Sequence, residues 1–173
     1  WVAAGARNLF AVRNAHAGPV QALAFYGSRL FSVGQDGVIR AWDQLSGLRD
    51  ANWTVRTDIL TGHESLNRNL AVYNGRLFGV TADGVTAWDV HDGHELFHVR
   101  MPANSVVRDL VVREGKLFVA DDQKQITTWS ILNGAQMSTT YRGADTSRLS
   151  VTLGWVFACG VDGSVTAYNL TTG

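Results

Sequence analysis

Apolar residues along this chain come in short runs that stop at glycine turns and start again, and the pattern recurs four times. The copies are 23–31 around Gly27, 70–78 around Asn74-Gly75, 110–118 around Glu114-Gly115 and 149–157 around Gly154. Asn-Gly and its relatives adopt the positive φ angles of a tight hairpin, so each copy predicts two antiparallel strands. Alternation in segments such as Val38-Ile39-Arg40-Ala41-Trp42 is loose, as expected of a strand covered on both faces. No stretch carries sustained helical periodicity, so the chain is expected to be all-β, with no helix longer than about two turns.

A second set of markers follows each hairpin. Asp36-Gly37, Asp83-Gly84 and Asp162-Gly163, with Gln123-Lys124 as the divergent copy, lead into a short run that ends on an aromatic anchor. The anchors are Trp42, Trp88, Trp129 and Tyr168, and a glycine stands five residues after each: Gly47, Gly93, Gly134 and Gly173. They divide the chain into repeats 5–47, 48–93, 94–134 and 135–173. A period near about forty residues with turns at fixed offsets predicts a β-propeller, one four-stranded antiparallel blade per repeat. The segment 7–13 reads as an outermost strand without its other three, and the last repeat lacks its own outermost strand. About sixteen strands, or four blades, are expected. Either the N-terminal strand completes the C-terminal blade and closes a ring of four, or the blades belong to a larger ring of seven or eight; the larger ring is preferred.

Composition narrows the function classes. Lys plus Arg and Asp plus Glu both total 15, so the formal charge is zero, and the basic footprint expected of nucleic-acid or anionic-membrane binding is missing. The 173 residues include one cysteine, Cys159, in the apolar run Trp155-Val156-Phe157-Ala158-Cys159, which reads as a buried, inert thiol and allows no internal disulfide. Without a signal peptide or long apolar span, a soluble, reducing compartment, cytoplasmic or nuclear, is expected.

The ordered markers resemble the Trp-Asp repeat family, the WD-repeat propellers. The second repeat carries Gly62-His63, then Asp83, then Trp88-Asp89; the first has Ala15-His16, Ser32, Asp36 and Trp42-Asp43. The later repeats depart from the pattern, with Ala103-Asn104 and Gly143-Ala144 for Gly-His, and Trp129-Ser130 and Tyr168-Asn169 for Trp-Asp. The resemblance implies that His16, Ser32, Asp36 and Trp42 form a buried hydrogen-bonded clip, with His63, Asp83, Trp88, Trp129 and Tyr168 in the corresponding structural roles. The same residue types compose a Ser-His-Asp relay for acyl transfer. Repetition of His and Asp in the next repeat favours a structural clip, because a nucleophile has no reason to be tiled.

Three of the five histidines lie in 91–98, and such crowding suggests zinc. His94 and His98 share a face of an extended strand but stand about 13 Å apart along it, too wide for one ion. A solvated outer strand explains them, and no metal or cofactor is expected. Arginine supplies 13 of the 15 basic side chains. Arg68, Arg108 and Arg148, with Glu64, fall at the blade entrances, which in the family face the top surface and central channel where partners dock. The leading expectation is a non-catalytic scaffold for protein–protein contacts, other proteins being its partners. The alternative is a quinoprotein-like propeller, an enzyme or assembly factor, since the run 162–173 looks like the repeat of quinone-cofactor propellers. Against it stand the Gly-His and Trp-Asp pairs, a single cysteine and the lack of a calcium-binding carboxylate set.

Overall fold

The computed structural model describes residues 10–57, 69–142 and 145–170. Among these, fifteen strands and no helix form four antiparallel sheets in chain order. The first sheet is β1 (Val20–Tyr26), β2 (Arg29–Gly34), β3 (Val38–Asp43) and β4 (Arg49–Arg56). The second is β5 (Leu70–Tyr73), β6 (Arg76–Thr81), β7 (Gly84–Asp89) and β8 (Glu95–Arg100). The third is β9 (Val107–Arg113), β10 (Lys116–Asp121), β11 (Gln125–Ser130) and β12 (Gln136–Arg142), and the fourth is β13 (Thr146–Thr152), β14 (Trp155–Gly160) and β15 (Val165–Asn169). Each sheet is a meander whose spatial order is its chain order. Phe10 to Arg13, the described part of the expected first strand, is not in a strand.

The hairpin turns sit where glycine or a tolerant residue takes positive φ, as in Asn74-Gly75 and Glu114-Gly115. The five-residue spacing from anchor to glycine has a mechanical cause. Asp43, Asp89 and Ser130 accept the amide of the glycine four residues on, Gly47, Gly93 or Gly134, through their carbonyl oxygens at 2.9–3.0 Å. That closes a loop only a residue with φ near +70° ends without strain, and the three glycines have φ of 70°, 77° and 69°.

Blades stack face to face through one repeated interface. Phe31, Val33, Ile39 and Ala41 of the first blade pack on Leu70, Val72, Leu77 and Trp88 of the second. Phe78, Val80, Val85 and Ala87 meet Leu110, Val112, Leu117 and Trp129 in the same way, and Phe118, Ala120 and Ile126 meet Leu149, Val151, Val156 and Tyr168. Burial on both faces explains the loose alternation of the middle strands. An outer-strand aromatic of one blade then lies on the loop glycine of the next: Trp53 on Gly93 and Phe97 on Gly134. Phe10 lies on Gly47 in the same manner, so it occupies the place of an outer-strand aromatic from a blade preceding the first.

Candidate functional site

In the first blade, four distant residues form one chain of polar contacts. Trp42 Nε1 donates to Ser32 Oγ at 2.8 Å, Ser32 Oγ lies 2.7 Å from His16 Nε2, and His16 Nδ1 lies 2.9 Å from Asp36 Oδ1. Register explains the convergence: Ser32 pairs with Arg40, two positions from Trp42, and His16 reaches down from the preceding loop against Gly34, where a Cβ would meet the imidazole at 2.4 Å. Asp36 also accepts from Arg40 Nη1 at 2.8 Å and from the Ala17 and Val38 amides. Burial alone would raise its pKa, but the bonds from His16, Arg40 and those amides outweigh it and hold the carboxyl well below the usual range. The His16 side chain is fully buried, so the group is a brace inside the blade.

The other blades do not repeat this brace. The position of Ser32, opposite the leucine of the inner strand, is Gly79, Val119 and Ala158 in the later blades, none with a hydroxyl. Trp129 instead donates to Thr127 Oγ1 on its own strand at 2.9 Å. The turn before β7 is one residue shorter than the turn before β3, so Asp83 does not take the place of Asp36. Asp83 faces the outer strand, where its carboxylate lies 3.1 Å from His98 Nε2 and 3.2 Å from Arg100 Nε. His98 Nδ1 meets Thr86 Oγ1 at 2.8 Å, which corrects the expectation of a merely solvated histidine. His94 turns to Asp92 at 2.6 Å, so the two imidazoles have separate partners. His63, Glu64 and Arg68 lie outside the described residues.

The entrance side between the third and fourth blades holds the remaining candidates. A cleft of about 630 Å³ is lined by Arg108 and Arg148 together with Asp121, Asp122 and Asp145. The two arginines are not equivalent in register. Arg108 is the extra residue of a β-bulge between β9 and β10, a place matched by Gln21 and Ser147 in the first and fourth blades. Arg148 pairs with Cys159 and so corresponds to Asp109, which pairs with Ala120. Bulges re-aim a side chain, and this one brings Arg108 to the cleft that Arg148 reaches from a regular position.

Asp109 is the residue that motif reading passes over. Its buried carboxylate accepts the amides of Leu110 at 2.9 Å and Leu149 at 2.6 Å and bonds Asn69, tying together the inner edges of three successive blades. Burial is the largest influence and pushes its pKa up, against those bonds and the nearby Arg148 guanidinium. The only sequence signal is an acid placed inside an apolar inner strand. Asp121 is likewise buried, accepting from Ser105 Oγ and the Gln123 and Gln125 amides, so it braces the cleft wall. Cys159 is exposed, contrary to the buried thiol read from its apolar run, because the fourth blade has no described neighbour beyond it. Among the described residues, no group of three or more His, Cys, Asp or Glu is arranged to hold a metal, and no helix is long and apolar enough to cross a membrane.

No protein-family model matches the sequence, and no curated protein matches it. Solved structures do. The computationally designed Ika4 protein superposes with a TM-score of 0.77 at 22% identity, over 95% of this chain and 98% of that one. The WD40 β-propeller domain of Doa1 gives 0.71 at 19% identity, over 91% of this chain and 53% of that one. BamB from Moraxella catarrhalis gives 0.67 at 19% identity, over 87% and 45%. The chain thus spans about half the length of the last two. With four blade-like sheets in sequence and neighbours of this kind, the chain has the β-propeller fold.

Proposed function

We propose that the chain is a non-catalytic interaction module that presents its entrance face to another protein. The observation that carries this reading is the cleft where Arg108 and Arg148 face Asp121, Asp122 and Asp145. Both signs of charge line one concavity, which suits a polypeptide segment carrying both signs better than a phosphate backbone. Arginine forks pair with carboxylates bidentately, and the rigid blades hold them in place. The imidazole and hydroxyl most like a catalytic pair, His16 and Ser32, are buried and spent on Asp36 and Trp42. The quinone-cofactor alternative rests on the run 162–173 alone.

The test is a pull-down from cell extract with single alanine variants. Loss of bound protein is expected for Arg108→Ala and Arg148→Ala, and for Glu64→Ala and Arg68→Ala at the same entrances. Arg56→Ala, Glu95→Ala and His98→Ala on the outer strands should leave it intact. Truncation of a hot-spot residue costs more than about 2 kcal/mol, over about tenfold in affinity. Loss confined to the outer-strand variants would move the site to the rim and overturn the proposal.

A further inference from the structure

The two ends of the arc expose opposite halves of the interface that joins its blades. In the three internal joints, the leucine and valine of one inner strand and the anchor of its blade pack on the phenylalanine and middle-strand residues of the blade before. The first blade has the receiving half, Leu23, Phe25 and Trp42, with nothing before it: Leu23 and Phe25 are 57% and 59% exposed. The fourth has the donating half, Phe157, Cys159 and Val165, with nothing after it: Val165 is 70% exposed and Cys159 is exposed too. A large exposed apolar face marks an interaction site.

We infer that these two faces mate between two copies of the chain, the first blade of each on the fourth blade of the other. The proposed joint continues an interface the molecule already uses three times, with the same residue positions on each side. It also matches the edges. The fourth sheet has three described strands and leaves β15 at its edge, while Phe10 sits where the outer strand of a preceding blade belongs. A second copy would supply that blade to the first and the missing outer strand to the fourth. Two copies make about eight blades, within the range of about four to eight that propellers span, whereas three would exceed it. A head-to-tail contact of this kind closes into a ring when its rotation permits.

Sedimentation velocity on the 173-residue chain at tens of micromolar tests this. Twice the monomer mass is expected. Phe25→Asp and Val165→Asp alter opposite faces, and each should shift the mass to one copy while the far-ultraviolet circular dichroism stays β-rich. A wild-type monomer would overturn the inference and assign the faces to other blades or another protein. A Val165→Asp variant that stays dimeric would overturn it in favour of pairing between two first blades. A species larger than two copies would overturn ring closure.

Discussion

Ser32 carries two contacts at once, the Trp42 indole at 2.8 Å and His16 at 2.7 Å, both away from water. Ser32→Ala leaves both groups unsatisfied, and a buried polar group without a partner costs about 1–3 kcal/mol. A loss of about 2 kcal/mol or more is therefore expected in denaturant melts. Trp88→Ala, at 4% exposure, should cost about 3–5 kcal/mol through the cavity it opens between the first and second blades. Asp36 adds a pH signature. Its folded pKa lies below the ordinary 3.8, so its charged form favours the folded state. That stability is complete above the unfolded value and is lost as pH falls through the folded one. Asp36→Asn should lower the melting temperature at about pH 7, and the gap to wild type should narrow on acidification below about pH 4. A gap constant with pH would take the charge out of the account. Asp109 has the opposite sign: its raised folded pKa favours stability at low pH, and that contribution falls as pH rises.

The element that fixes blade spacing is the loop after each anchor, with its glycine beneath an aromatic of the preceding blade. Gly134 has φ of 69°, and a Cβ there would meet Phe97 at 2.6 Å. Gly134→Ala combines backbone strain with a clash and is expected to cost about 1–3 kcal/mol. In the double variant Phe97→Ala/Gly134→Ala the clash is gone, so the cost should be less than the sum of the two singles. Additive costs would show that the aromatic and the loop do not couple. The hairpins and anchors were legible from sequence because turn chemistry and an aromatic at a fixed offset are local. The pairing of Asp83 was not. A turn shorter by one residue moves the carboxylate from the loop to the outer strand, and a motif scan that tolerates variable spacing does not register the change.

Across the whole molecule, stability should follow coverage. The middle strands of the second and third blades, β6, β7, β10 and β11, lie between two neighbours, while β1 and β15 each have a bare face. Hydrogen exchange should be slowest at the former and fastest at the latter. If two copies close the ring, protection at β1, β14 and β15 should rise with protein concentration while β6 and β7 stay unchanged. Equal protection along the chain at all concentrations would contradict both the gradient and the open ends.

The sequence by itself determined the β class, the four-fold repeat, the hairpins and the anchors, because each depends on residues close in the chain and on rules of backbone geometry. The tertiary structure decided which repeats have a polar brace, which face of the fourth blade is open, and that Asp109 ties three inner strands. Arg108 and Arg148 look alike in sequence, yet one reaches the cleft from a bulge and the other from a regular strand position. Such outcomes turn on register and on what the neighbouring blade covers. Both are properties of residues some forty apart, and no local pattern encodes them.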